Sequence, residues 1–130
     1  MQHARTKPLN AGRKSQGQHS RITLHYFPGC FLDARHGECG VRNEQFWIDI
    51  EDAGTGGLVR TRQIAGAIAR RIVCWLRDDE EVCVGERFGM IKFGSRTDVL
   101  VPVEQAREVL VKVGQAVRGG LTPLLRMPPA

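Results

Sequence analysis

The chain has 130 residues, a length typical of one domain that buries most of its surface without disulfides or metals. Apolar residues make up 42% and charged residues 25% of the sequence, which are ordinary values for a globular protein. No uncharged apolar run reaches the ~18 residues of a membrane-spanning helix, and no secretory signal pattern is present. We therefore expect a protein that stays in the cytoplasm or lies against a membrane from that side.

The formal net charge of +5 is confined to the N-terminal segment. Residues 1–21 contain five basic side chains and no acidic one, whereas the rest of the chain carries equal numbers of both. We predict that residues 1–21 form a basic, poorly ordered tail and that residues 22–130 form the folded domain. The tail would attract anionic lipid or simply be a solvated terminus. Because it lacks aromatic residues and the domain is charge-balanced, we predict no nucleic-acid binding.

Short strands separated by turns account for most of the predicted domain. The Ala-rich segment 64–71 also has helical propensity, as an alternative to strand. Glycine or acidic residues mark turns at 28–29, 51–57 and 78–81. Together the pattern predicts a mainly β fold with few short helices. The predicted elements are one helical turn at 104–108 and strands at 22–27, 46–50, 58–64, 68–76, 88–93, 97–101, 109–113 and 121–125.

Two segments of the chain share one internal frame. Residues 79–86 (DEEVCVGE) and 114–121 (GQAVRGGL) each place a valine three positions before a glycine, Gly85 or Gly120. The frame resembles the paired turns of barrel-sandwich domains, whose best-known users are biotinyl and lipoyl carriers. We therefore predict a barrel-sandwich-like core. Such carriers hold an acceptor lysine on the hairpin that follows, and the corresponding residue here is Ser95.

The cysteines are not spaced as zinc ligands. Eight residues separate the members of each neighbouring pair, unlike the short spacings of structural zinc sites. We expect reduced thiols with packing roles and no metal site. The four cysteines are Cys30, Cys39, Cys74 and Cys83.

Several other polar residues have two interpretations. His25 and His36 are possible general bases, but their positions beside aromatic residues and turns favour structural roles. The pair Arg70–Arg71 would either grip a phosphate or carboxylate or form exposed surface charge. Asn43–Glu44 is more typical of a pair that orders a turn than of one that touches a substrate.

The Gly94–Ser95 pair interrupts two predicted strands, 88–93 and 97–101. As an isolated pair it is typical of a hairpin turn. The alternative is that the peptide bond between these residues is a substrate for the protein's own chemistry.

A family resemblance favours the second alternative. Residues 70–102 read RRIVCWLRDDEEVCVGERFGMIKFGSRTDVLVP and resemble the catalytic segment of the short phosphatidylserine decarboxylases. Upstream, YFPGCFLDA (26–34), NEQ (43–45) and IAGAIARRI (64–72) are similar to further stretches of that family, as is VKVGQAVRGG (111–120) downstream. The resemblance covers about residues 22–126 and is to the C-terminal catalytic portion of the family.

The resemblance implies that the chain is a proenzyme that cuts itself between Gly94 and Ser95. The Ser95 hydroxyl would attack the Gly94 carbonyl, and elimination of the resulting ester would free a β chain ending at residue 94. The α chain, 95–130, would then begin with a pyruvoyl group made from Ser95. Gly94 lacks a Cβ, which permits the strained conformation that the attack requires. Arg96 or a main-chain N–H would stabilise the oxyanion.

The resemblance also implies the reaction, the cofactor and the location. The pyruvoyl ketone would take up the substrate amine and accept the electrons released as carbon dioxide leaves, converting phosphatidylserine to phosphatidylethanolamine without metal or soluble coenzyme. A lipid substrate implies peripheral association with the cytoplasmic face of the cell membrane.

Members of the family also carry Asp and His motifs that are expected to activate the serine. Residues 3–12 weakly resemble the His motif, with His3 at the position of its histidine, and Gln45 stands where the family has arginine.

Two further functions stay open. One is a non-catalytic barrel-sandwich module that binds lipid or a partner, and the other is a pyruvoyl decarboxylase for a related amino acid or serine lipid.

Overall fold

The computed structural model describes residues 20–68 and 71–129. Of the predicted tail, residues 1–19 lie outside these ranges, and Ser20 and Arg21 open the first strand. No helix within the described ranges is long and apolar enough to cross a membrane. In chain order the elements are β1 (Ser20–Phe27), α1 (Cys39–Arg42), β2 (Gln45–Asp52), β3 (Leu58–Ile64), β4 (Ile72–Cys74), β5 (Glu81–Val82), β6 (Gly89–Ile91), β7 (Arg96–Leu100), a 3-10 turn (Val103–Gln105), β8 (Glu108–Val109) and β9 (Leu125–Arg126).

The main sheet has the strand order β5-β1-β2-β3-β7, and every neighbouring pair is antiparallel. Its three long strands confirm the strands predicted at 22–27, 46–50 and 58–64. The turn between β2 and β3 is organised by Asp52, whose carboxylate accepts hydrogen bonds from the Gly54 N–H (3.0 Å) and the Thr55 hydroxyl (2.9 Å). Such side-chain bonds to the following residues favour a tight turn over continued strand.

One face of the sheet carries the hydrophobic core. Ile22 on β1 and Ile48 on β2 are fully buried and pack with Cys74 of β4. The predicted packing role is thus confirmed for Cys74, and Cys39 is also buried, whereas Cys30 is exposed. Partly buried apolar side chains extend this cluster: Leu24, Phe46, Ile50, Leu76, Val82 and Phe88.

The opposite face carries charged side chains in cross-strand pairs. Arg60 donates two hydrogen bonds to its cross-strand partner Asp49, at 2.6 and 2.7 Å. Trp47 lies under both Arg60 and Arg62, with guanidinium carbons 4.7 and 5.4 Å from its ring centroid. Alternation along the strands therefore separates an apolar face from a charged one.

The internal frame seen in the sequence is a structural repeat with a spacing of 35 residues. Asp79 and Gly114 both have positive φ, +61° and +84°, and so do Gly85 and Gly120, +78° and +75°. Each pair of turns joins two short antiparallel strands, β4 with β6 and β8 with β9. Positive φ disfavours most side chains, which explains why glycine or aspartate recurs at these positions.

The predicted strand at 68–76 is shorter in the structure. Among the described residues of this range only Ile72–Cys74 are strand, and residues 65–68 form neither strand nor helix. An apolar run does not by itself reveal where a chain departs from a sheet. The predicted helical turn at 104–108 is a 3-10 turn at Val103–Gln105. Overall the mainly β fold with few short helical pieces is confirmed.

Candidate active site

The Gly94–Ser95 bond lies in the connection between β6 and β7. Gly94 is exposed, and Ser95 is half-buried immediately before the first residue of β7. The φ angle of Gly94 is +84°, in the left-handed region that side chains with a Cβ rarely occupy. This turn therefore requires glycine at the position that the resemblance assigns to the scissile bond.

Gly66, in the segment that follows β3, lies against the main-chain carbonyl of Gly94. The register of β3 and β7 pairs Ile64 with Arg96, and the same register continued by two residues brings Gly66 opposite Gly94. A Cβ placed on Gly66 would overlap the Gly94 carbonyl oxygen and lie 3.0 Å from its carbonyl carbon. Only glycine permits this approach, so the stretch containing Gly66 cradles the peptide bond in question.

The Ser95 hydroxyl is hydrogen-bonded within its own turn. Its Oγ donates to the main-chain carbonyl of Lys92 at 2.7 Å. A main-chain carbonyl accepts this hydrogen bond but does not take the proton away. Attack on the Gly94 carbonyl therefore requires the hydroxyl to leave Lys92 and meet a base.

Arg96 lies on the opposite side of β7 from Ser95, because successive side chains of a strand alternate between its faces. Its guanidinium donates to both carboxylate oxygens of Asp98, at 2.7 and 3.1 Å, and to the Cys39 sulfur at 3.7 Å. Its bonds are thus formed with β7 and α1. The oxyanion role assigned to Arg96 stays a prediction.

Asp98 joins Arg96 to the charged face of the sheet, since it also accepts a 2.6 Å hydrogen bond from Arg62. Burial of Asp98 opposes ionisation, but the hydrogen bonds from Arg96 and Arg62 outweigh it and hold the pKa of the carboxyl below its usual value. The hydrogen bond to Asp98 in turn raises the pKa of Arg96. The strand that follows Ser95 is therefore anchored by the carboxylate of Asp98, which is ion-paired with both Arg62 and Arg96.

Asn43 fixes the segment that carries Gly66. Its side chain is fully buried, and its Nδ2 donates to the carbonyls of Leu32 and Ala65, both at 2.7 Å. Its Oδ1 accepts from the Leu32 N–H at 2.9 Å, while the Ala65 N–H donates to the Glu44 carbonyl at 2.9 Å. Asn43–Glu44 thus orders the backbone next to Gly66, in agreement with its interpretation from sequence.

Gln45 follows this pair and is also satisfied. Its Nε2 donates to the Gly40 carbonyl at 2.8 Å, and its Oε1 accepts from the indole N–H of Trp47 at 2.8 Å. Gln45 therefore joins α1 to β2 and has a structural role.

The histidines of the described residues bond away from Ser95. His25 lies 3.3 Å from Asp49, and the exposed His36 accepts a hydrogen bond from the Glu38 N–H at 3.2 Å. Arg71 is exposed, whereas Arg70 and the weak His motif with His3 lie outside the described residues. Both described histidines thus have the structural contacts that their positions in the sequence favour.

The roles of Gly94 and Ser95 stay predictions, and the sequence does not display the contact of Gly66 with Gly94 or the particular partners of Asn43. Gly66 and Asn43 stand in stretches that carry the family resemblance, which was the available signal. Their partners lie far away in the sequence, Gly94 for Gly66 and Leu32 and Ala65 for Asn43. A linear pattern does not display such contacts.

Comparison with known proteins identifies the family of this chain. The phosphatidylserine decarboxylase family matches residues 18–124. The chain is 43% identical over 106 residues to the phosphatidylserine decarboxylase proenzyme of Rhodopirellula baltica, covering 81% of this chain and 44% of the relative. Proenzymes of Syntrophus aciditrophicus and Rickettsia typhi are each 46% identical over 101 residues, or 78% of this chain and 46% and 42% of the relatives.

The chain thus spans a little under half the length of these curated relatives. No solved structure matches it. The family match runs through the Gly94–Ser95 bond and through the two stretches that hold it, 43–45 and 64–66. This chain belongs to the phosphatidylserine decarboxylase family.

Proposed function

We propose that this chain is the catalytic portion of a phosphatidylserine decarboxylase that cuts itself between Gly94 and Ser95. The observation that carries the proposal is the contact of Gly66 with the Gly94 carbonyl, because it holds one particular peptide bond in a turn that only glycines allow. A simple hairpin turn requires no such second glycine. The names of the curated proenzymes support the same reaction.

The self-cleavage needs only atoms of the chain and one water. The Ser95 Oγ would bond to the Gly94 carbonyl carbon as the Gly94–Ser95 C–N bond breaks, leaving an ester and the free Ser95 amine. Loss of the Ser95 α-proton and of the ester oxygen would release residues 1–94 as a carboxylate. Water would then replace the nitrogen of residue 95, which leaves as ammonia. The proton of Ser95 Oγ, now donated to Lys92, must pass to a base in the first step.

A pyruvoyl group at position 95 fits the surroundings of Ser95. The Gly66 contact secures the peptide from which the group would arise, and the Asp98 ion pairs anchor the strand behind it. The group would supply an electron-accepting carbonyl for decarboxylation. Residues of β3 and β7 would hold it and orient the substrate beside it.

A membrane surface is the proposed partner, on the cytoplasmic side of the cell membrane. Phe93 is 90% exposed immediately before Gly94, and the exposed Ile68 lies beside Gly94, with its Cβ 3.6 Å from a Cβ built there. Lys92 is also exposed next to this apolar pair. Apolar and cationic side chains together favour contact with anionic lipid, which would bring phosphatidylserine to Ser95.

The test is release of carbon dioxide from vesicles that contain phosphatidylserine. We expect release by the purified chain and none by Ser95→Ala, which cannot form the new carbonyl. Vesicles of phosphatidylcholine alone provide the substrate control. Absence of release from phosphatidylserine vesicles, with the chain folded, would contradict the proposal.

A second function is favoured by the hydrogen bond from Ser95 to Lys92, which engages the hydroxyl in an uncut turn. In that case the chain would be a lipid-binding module that keeps the Gly94–Ser95 bond. Co-sedimentation of the uncut chain with phosphatidylserine vesicles, together with no carbon dioxide release, would establish this alternative.

A further inference from the structure

Gln63 on β3 is a buried polar residue that the site described above does not use. Its side chain is 8% exposed, and its Oε1 is fully buried without a hydrogen-bond partner among the residues that the structure describes. The hydroxyl of Thr61, two residues earlier on the same face, is also buried without a hydrogen-bond partner among the described residues. Burying such groups unpaired is unfavourable, and proteins seldom do so without a reason.

The position of Gln63 connects it to Ser95. Gln63 pairs with Thr97 across the β3–β7 ladder, and the Gly66–Gly94 contact shows that the two segments stay side by side beyond the last pair. Ser95, Thr97 and Gln63 therefore share one face, on which neighbouring positions along a strand are about 7 Å apart. Gln63 therefore lies diagonally across the β3–β7 ladder from Ser95, the residue proposed to react.

Several cross-strand neighbours of Gln63 and Thr61 on this face are apolar and offer no hydrogen bonds. Cross-strand from Gln63 on β2 stands Phe46, and cross-strand from Thr61 stand Ile48 and Val99. Phe46 and Ile48 belong to the apolar core. The polar side chains of this face that lead toward Ser95 lie on β3 and β7, while β1 and β2 supply the apolar half.

The chemistry of a carboxamide fits the headgroup of a serine lipid. That headgroup carries an ammonium group, which donates hydrogen bonds, and a carboxylate, which accepts them. The amide of Gln63 offers one carbonyl acceptor and an NH₂ donor on the same side chain. It could therefore meet both charged groups of the headgroup at once.

We infer that Gln63 is a substrate-binding residue that contacts the amino-acid headgroup beside Ser95. This inference rests on the proposed function for its choice of ligand. The headgroup contact of Gln63 and the self-cleavage are separable by experiment, because headgroup binding can be followed in a chain that cannot cut itself.

The test uses ¹⁵N-labelled Ser95→Ala protein and glycerophosphoserine as the probe. We expect the side-chain amide resonance of Gln63 to shift on titration, while that of the fully bonded Gln45 stays in place. Glycerophosphoethanolamine, which lacks the carboxylate, is the matched ligand control and should bind at least about tenfold more weakly. A Gln63 resonance that does not move with glycerophosphoserine would overturn the inference.

A second measurement uses Gln63→Met, which keeps the size of the side chain and removes its polar atoms. In the cleaved enzyme we expect about a tenfold or greater loss of kcat/KM, mostly through KM, with cleavage unchanged. Its Tm should equal or exceed that of the unsubstituted chain, because an unpaired buried acceptor is removed. Gln45→Met should lower Tm, since that amide is bonded at both ends.

The outcomes distinguish the two claims. An uncut wild-type chain whose Gln63 resonance still shifts contradicts the proposed function and supports the headgroup contact. An active enzyme whose Gln63→Met variant keeps its kcat/KM contradicts the headgroup contact alone. A fall in Tm for Gln63→Met as large as that for Gln45→Met would assign Gln63 a purely structural role.

Discussion

Gly66 approaches the carbonyl of Gly94 so closely that no side chain on residue 66 fits between them. We expect Gly66→Ala to lower the free energy of unfolding by about 1–3 kcal/mol and to abolish cleavage at Gly94–Ser95. The added methyl group would push the carbonyl out of position. Urea unfolding and mass spectrometry measure the two effects. Gly37→Ala is the control, because a Cβ there has no atom within 4 Å.

The positive φ of Gly94 leads to a separate prediction. Gly94→Ala should cost about 1–2 kcal/mol of stability, because a Cβ disfavours the left-handed region. Gly85→Ala, with a φ of +78° and open space around it, should cost a similar amount. Only Gly94→Ala should also slow cleavage, and equal cleavage of both variants would contradict the assigned role of Gly94.

Asn43 is expected to be the main support of the Gly66 segment. Asn43→Ala removes three hydrogen bonds, one buried and two partly buried, and leaves the Leu32 and Ala65 carbonyls without that donor, so we expect a loss of about 3 kcal/mol. Thermal or urea unfolding measures the loss. Gln115→Ala, which removes one exposed contact with the Lys112 N–H, should change stability by less than about 0.5 kcal/mol. Similar losses in both variants would refute the support role.

The lowered pKa of Asp98 leads to a prediction of how the free energy of unfolding depends on pH. Its pKa is lowered in the folded chain, so the ionised form stabilises the fold above the ordinary carboxyl pKa, and this contribution is lost as pH falls through the folded pKa. Stability should therefore decline below about pH 4. Asp98→Asn should be less stable at neutral pH and should show a flatter acid decline in urea titrations. The exposed Glu104 supplies the control, Glu104→Gln, which should retain the full decline.

Phe93, at the exposed tip of the β6–β7 connection, is the proposed contact of the chain with lipid. Phe93→Ser should reduce co-sedimentation with phosphatidylserine vesicles by about tenfold, since it removes a large apolar contact. Val103→Ser provides the matched control, because Val103 is equally exposed, at 86% against 90%, but lies on the 3-10 turn. Equal loss of binding in both variants would mean that this tip is not the lipid contact.

The sequence predicts the long strands well because their signals are local. Short runs of strand-forming residues bounded by turn signals mark 22–27, 46–50 and 58–64 as strands, and β1, β2 and β3 follow them closely. The turn frame of 79–86 and 114–121 is equally local, because positive φ selects the residue type at each position. Gly94 and Ser95 lie within one continuous stretch of family resemblance.

The rest depends on contacts between distant residues. Just after the end of β3, Ala65 is hydrogen-bonded to Asn43 and Glu44, and no apolar pattern displays these bonds. The hydrogen bonds of Arg96 to Asp98 and Cys39, and of Arg62 to Asp98, likewise require β3, β7 and α1 to be assembled first. Gln63 reads as an ordinary polar position until its burial is known.

Intact mass of the purified, denatured chain tests the central claim most directly. We expect two species, one ending at Gly94 and one beginning at residue 95 that is lighter by one ammonia than a simple hydrolysis product. Ser95→Ala should give one uncut species of full mass. A single uncut species from the folded wild-type chain, or a cut fragment that keeps its amine, would contradict self-cleavage with formation of a pyruvoyl group.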